Sequence, residues 1–229
     1  MGNIKTTIDN DMNKLDELIK TENFEEARRK FVKSQNELKK NNSEEKKTEI
    51  TNYLLDLLEP DVKKILKNYI WNLRASDRIY LIFKEIYEGK LLKYACNKEV
   101  NEMTDEKEIK DYIERIEKVF KMLGLVSKIS IINESLSKLY FKLVDIKRKK
   151  IQKNPTLEQI NELIILQEKC LQCIKNSSIN KEQRIEYENM LEDLLNIKNQ
   201  ILGNNSYLDK KYEEAIMYFN KITKKRGNY

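Results

Sequence analysis

Cys170 and Cys173 stand three residues apart in CLQC, the spacing of half a zinc site or of a redox pair. A structural zinc wants four ligands and only Cys96 is left to join these two, while a redox pair usually opens a helix after a strand. Leu163, Leu166, Cys170 and Cys173 instead fall at successive helical intervals, which predicts buried, inert thiols. Glu25 and Glu26, Glu44 and Glu45, and Glu213 and Glu214 are adjacent carboxylate pairs. Neighbours on a helix point about 100° apart and do not share a proton, so these read as solvated surface. The chain has no histidine, which removes the commonest general base, the usual nucleophile triads and the most frequent zinc ligand together. No phosphate-binding GxxxxGK[ST] or GxGxxG and no GxSxG occurs, and the expectation is a protein that is not an enzyme, without catalytic residues, cofactor or metal.

Chemistry of a different kind is available to the basic runs. Lys147, Arg148, Lys149 and Lys150 follow a strongly periodic segment, and Lys224, Lys225 and Arg226 sit near the end of the chain. Such clusters neutralise phosphates, which makes an RNA- or ribosome-associated factor the alternative reading. The competing account is a solvated helix end whose cations offset the helix dipole. Trp71 beside Arg74 and Arg78 is expected to be a core anchor rather than a stacking platform. MGNIKT formally fits the myristoylation pattern through Gly2 and Thr6, but the pattern is short and lipidation at Gly2 is not the favoured reading.

The elements that must position these residues are helices. The 229 residues include only 5 Gly and 2 Pro, too few for a turn-rich sheet protein. Charged residues make up 36% and hydrophobic ones 40%, too apolar for disorder and too polar for one thick-cored globule. An elongated all-α chain fits this balance, with one helical domain over 1–222 and a basic tail over 223–229. Forty-four basic against 38 acidic residues leave a formal charge of +6, which permits an anionic partner without demanding one. No apolar run approaches the roughly 20 residues of a membrane span. With three cysteines, an odd count, and no leader-like segment, the expected location is cytoplasmic.

Apolar spacing predicts about nine or ten helices and no strand. Ile8, Met12, Leu15, Leu18 and Ile19 line the first, and Phe24 opens a second that completes a hairpin. Ser43 is placed as an N-cap, Pro60 at a helix start, Ser76 as a further cap, an interruption near Gly89, a helix start at Thr104 and an end at Gly124. The clearest stripe is Val126, Ile129, Ile132, Leu136, Leu139, Leu143 and Ile146. Thr156 with Gln159, and Asn180 with Gln183, have the spacing of capping boxes.

One pattern occurs twice. Phe24, Ala27 and Phe31 have the same mutual spacing as Tyr212, Ala215 and Phe219, and each leading aromatic is followed by Glu-Glu-Ala. Aromatic, small, aromatic at offsets of three and four is a code for close helix packing, because alanine lets two backbones approach. With Leu202 and Gly203 upstream and Ile216 within, residues 197–222 resemble one tetratricopeptide (TPR) unit, and 8–34 a weaker echo in which Lys14 and Leu15 replace Leu202 and Gly203. The two copies lie 188 residues apart, which is not a multiple of the family's period, so the resemblance implies an irregular TPR-like array of helical hairpins. It also implies a scaffold or adaptor that binds a protein partner inside a larger assembly, using Ile197, Gln200, Asn204 and Tyr207 on the groove side. Asn204 matches the asparagine with which chaperone-binding members hold a peptide backbone, but Gln200 stands where they place a basic residue, so no carboxylate clamp is expected.

Overall fold

The computed structural model describes residues 2–40, 42–96, 100–123, 129–151, 154–175 and 177–222. Among them are ten α-helices and no strand, the all-α class that the apolar spacing predicts. No helix among the described residues is long and apolar enough to cross a membrane. Contacts divide the chain into two compact units, Met1–Asn97 and Lys98–Tyr229, where the apolar pattern alone suggests one domain over 1–222. The tail with Lys224, Lys225 and Arg226 lies outside the described residues, as do Gly124 and Val126.

In the first unit α1 (Gly2–Lys20) and α2 (Phe24–Lys40) form a hairpin, followed by α3 (Glu44–Asp56), α4 (Pro60–Lys67), a 3-10 turn at Ile70–Asn72 and α5 (Ala75–Ala95). Ile8, Leu15 and Ile19 of α1, Ala27 of α2 and Ile50, Leu54 and Leu55 of α3 are buried together with Ile79, Ile82, Phe83 and Leu91 of α5, and α5 packs against each of the first three helices. The α2 to α5 contact is aromatic. Phe31 stacks on Phe83 at 5.5 Å and on Tyr87 at 4.7 Å, while Phe24 meets Tyr94 edge-on at 5.9 Å. Burial pushes the Tyr87 hydroxyl up to about 12, since a phenolate has no water there.

Several local expectations shift. Ser43 accepts from Lys46 N–H as the N-cap of α3, and Pro60 opens α4. The helix that begins at Pro60 ends at Lys67 instead of running on to Leu73, so Tyr69 and Leu73 are exposed rather than striped into a core, and Ile65 within the helix is exposed as well. Trp71 is exposed too, with the Arg78 guanidinium 4.8 Å from its ring centre, a cation-π pair in place of the expected core anchor. Arg74, not Ser76, is the cap residue of α5, and that helix passes through Gly89 without a break. Nothing lies within 4 Å of where a Gly89 Cβ would be, so that glycine marks neither a turn nor a close approach.

The second unit runs α6 (Glu106–Leu123), α7 (Ile129–Lys150), α8 (Leu157–Ile174), α9 (Lys181–Leu208) and α10 (Tyr212–Asn220), each packed on the next. Asp105 rather than Thr104 caps α6, its carboxylate accepting from Glu108 N–H at 2.9 Å. Thr156 and Gln159 form a reciprocal capping box at the start of α8, and Asn180 accepts from Gln183 N–H at the start of α9. Ile132, Leu136, Leu139 and Leu143 of the predicted stripe are buried. Val144, Ile160, Leu163, Ile164 and Leu194 make a contiguous core, with Met190, Leu191, Ile197 and Ile201 of α9 packed on it.

Candidate functional site

The α1–α2 and α9–α10 hairpins turn by the same backbone bonds. In the first, Thr21 N–H donates to Glu17 C=O, Glu22 N–H to Ile19 C=O and Asn23 N–H to Leu18 C=O. In the last, Asp209 donates to Asn205, Lys210 to Tyr207 and Lys211 to Ser206, the same three bonds shifted by 188 positions. The pivot residues, Glu22 with φ 56° and Lys210 with φ 62°, are both left-handed without being glycine. That conformation costs about 1 kcal/mol in an ordinary residue, and the two bonds that close each helix end offset it. Ala27 and Ala215 then donate to Asn23 and Lys211 respectively, so the small residue of the repeated pattern sits at the same place in both hairpins. Both alanines are buried.

The C-terminal hairpin closes more tightly still. A Cβ built on Gly203 would stand 2.6 Å from Phe219 Cε1, so the absence of a side chain there is what lets the ring lie against the α9 backbone.

The two copies differ in what covers their outer faces. Phe24 and Phe31 are 8% and 9% exposed because α5 lies over them, whereas Tyr212 and Phe219 are 55% and 40% exposed. Ile216 is exposed as well, at 59%, so three of the residues expected to pack keep much of their surface open, Phe219 although one side of its ring lies on Gly203. The physical reason is the absence of a helix on the far side of α10 among the described residues, α9 being the one element packed extensively on it. Tyr207 and Leu208 at the end of α9 and Met217 of α10 are also exposed, and Tyr207 meets Tyr212 edge-on at 5.7 Å. Aligning the hairpins sharpens the contrast. Lys20, Arg28 and Arg29 of the first correspond to Leu208, Ile216 and Met217 of the last, so three cations of the covered copy are replaced by three apolar groups in the open one. Isolated exposed apolar residues are ordinary, but six in one short hairpin, with Tyr207 and Tyr212 in ring contact, make this end of the second unit the candidate site.

The four residues read as a partner groove lie along one side of α9. Gln200, Asn204 and Tyr207 are exposed on α9, but Ile197 is half-buried against the core of α7 and α8. The residues that sequence reasoning assigns to packing, Tyr212, Ile216 and Phe219, provide more of the open face. The signal that finds them is the exchange of Arg28 for Ile216 and Arg29 for Met217 between the copies.

The basic run at the end of α7 is folded into local ion pairs. Lys147 Nζ lies 3.1 Å from Glu106 and 2.8 Å from Glu162, Lys149 Nζ 2.7 Å from Asp145 and Lys150 Nζ 3.0 Å from Glu106. The Arg148 guanidinium stands 4.0 Å from Asp193. Burial opposes the Lys147 charge, but hydrogen bonds to Glu162 and Glu106 outweigh it and hold its pKa above the ordinary value. Glu106 is hydrogen-bonded by Lys110, Lys150 and Lys147, which lower its pKa to about 2. An open groove of about 370 Å³ beside Arg148, floored by Phe141, Ile185 and Met190, is rimmed by Glu182, Glu186 and Asp193, a sign of charge unsuited to phosphate.

None of the three cysteines is held in a disulfide; Cys170 is buried and Cys96 and Cys173 are partly so. Burial raises both members of the CLQC pair, Cys173 to about 11, and Cys170 donates to Ser137 C=O at 3.2 Å. Neither Cys170 nor Cys173 is a thiolate near neutral pH. Among the described residues no group of three His, Cys, Asp or Glu side chains is placed to hold a metal ion. A scan against protein-family models, a search of curated proteins and a search of solved structures each find no match to this chain.

Proposed function

We propose that this chain is a non-enzymatic, TPR-like helical scaffold that binds a protein partner through its last hairpin, as a component of a larger assembly. The observation that carries the reading is the concentration of exposed apolar side chains in that hairpin, namely Tyr207, Leu208, Tyr212, Ile216, Met217 and Phe219. At about half exposure each, six such side chains present on the order of 600 Å², near the roughly 800 Å² per partner of a standard interface. The bond-for-bond repetition of the hairpin turn supports the TPR-like reading, because a repeat family is defined by the recurrence of one packing unit.

The nucleic-acid alternative draws less support from the basic run. Lys147, Arg148, Lys149 and Lys150 already face carboxylates, and a phosphate must displace those partners to reach them.

The test is affinity recovery from the source cell with the full chain and with Ile216→Glu. Because Ile216 is exposed, the variant is expected to unfold within about 0.5 kcal/mol of the parent, while recovery of a stoichiometric partner falls at least fivefold. Equal recovery by both chains removes the last hairpin as the docking face.

A further inference from the structure

We propose that the open face of α10 receives an amphipathic helix of the partner, bearing aromatic residues on its buried side, in the position that α5 occupies on α2. The inference rests on the docking role of the last hairpin and adds the chemistry of what docks there.

The first hairpin shows how such a surface is covered. The two hairpins share their turn bonds, their left-handed pivot and their buried alanine. In the covered copy a 21-residue helix lies on the two aromatics and supplies Phe83, Tyr87 and Tyr94 to them. Phe83 and Tyr87 are four residues apart, and Tyr94 lies seven beyond, all on one helical face. In the open copy Tyr212 and Phe219 keep the same spacing and the same relation to the buried alanine. A strand or an extended peptide does not match this surface, because it offers side chains at a period of two and brings backbone groups that the internally bonded backbone of a helix does not meet. A helix satisfies its own backbone and presents side chains at the period that the covered copy uses.

The differences between the copies refine the partner. Arg28 lies near enough to Tyr87 to act on its ionisation. Arg28 and Arg29 are exposed at the flank of that contact, and Ile216 and Met217 stand at their places, so the flank that meets the docking helix is apolar rather than cationic and does not favour an acidic edge. Its outer face is unconstrained.

The test uses the full chain and two labelled synthetic helices in fluorescence anisotropy. The first has the sequence of residues 75–95, and the second has Phe83, Tyr87 and Tyr94 replaced by serine. The first peptide is expected to bind saturably, the second at least tenfold more weakly. Tyr212→Ser and Ile216→Glu in the full chain are each expected to weaken the first peptide at least tenfold with thermal unfolding unchanged. Equal binding of both peptides, indifference to the α10 substitutions, or no binding of the first peptide at millimolar concentration overturns the inference. A photo-crosslinker at Tyr212, the counterpart of Phe24 that meets α5, used in source-cell extract, separates this from the scaffold reading. Capture of a protein with no helix at the linked site, or of a second copy of this chain, sinks the helix proposal and leaves a docking role. Capture of nothing sinks both.

Discussion

Replacing Phe31 with alanine is expected to destabilise the first unit by about 4 kcal/mol. The ring is buried and stacks on two others, Phe83 and Tyr87. Truncating a buried phenylalanine costs about 3–5 kcal/mol through lost transfer energy and the cavity left behind, and each aromatic pair adds about 0.5–1.5 kcal/mol beyond its area. A domain has about 5–15 kcal/mol in all, so Phe31→Ala removes about a quarter or more of the unit's stability. The measurement is direct because the chain has one tryptophan, Trp71, and it lies in this unit. Its fluorescence followed through a urea titration reports the first unit alone. A loss below 1 kcal/mol contradicts the packing of α5 on α2, and with it the template for the partner helix. The same experiment on Phe219→Ala is a useful contrast, since that ring has one covered side rather than two.

The second expectation concerns acid. Glu106 is held at about 2 by hydrogen bonds from Lys110, Lys150 and Lys147, against an ordinary carboxylate value near 4.5. A carboxyl whose folded pKa lies below its unfolded one contributes stability that is fully present above the unfolded value and is lost as pH falls through the folded one. The contribution is therefore complete above pH 4.5 and gone near pH 2. The shift corresponds to about 3 kcal/mol unscreened, and about 2 kcal/mol after discounting for salt and partial exposure. Glu106→Gln is expected to lower the stability of the second unit by that amount at pH 7, with the deficit shrinking steadily below pH 4.5. Urea unfolding by circular dichroism at a series of pH values reads both. A deficit that stays constant down to pH 2 rules out the three-lysine network as its origin. Salt acts in the same sense, since the ammonium groups of Lys110 and Lys150 are largely exposed.

How much of the fold is legible in the sequence depends on the kind of feature. Helices whose apolar residues recur at threes and fours are legible because burial and periodicity coincide, as in Ile132, Leu136, Leu139 and Leu143. Caps are legible where an oxygen-bearing side chain precedes the helix by the right interval, as at Ser43, Thr156 and Asn180. The segment after Pro60 is not. Its apolar spacing continues to Leu73, but the helix stops at Lys67 and a 3-10 turn follows, so Tyr69 and Trp71 leave the helical phase and reach solvent. The first hairpin is legible, but its left-handed pivot and that of the last are not, since nothing in the types of Glu22 and Lys210 announces such a residue. The open face of α10 escapes for a related reason. Periodicity reveals which side of a helix is apolar, but whether a neighbour lies there depends on elements elsewhere in the chain. Tyr212 and Phe24 have the same local pattern and opposite exposure. The basic run at 147–150 likewise gives no hint that Glu106, Asp145, Glu162 and Asp193 surround it.

The 28 residues of α9 span about 42 Å and serve two masters in turn. As far as Ile201 they lie on the core shared with α7 and α8, and from Gly203 onward they carry α10. The outer hairpin is thus cantilevered from a rod whose anchorage lies elsewhere. Substitutions at Leu208, Ile216 or Met217 alter the exposed tip and leave the anchorage untouched. Such a layout makes the surface of the tip and the stability of the body separable, because changes at distant, unshared positions add independently.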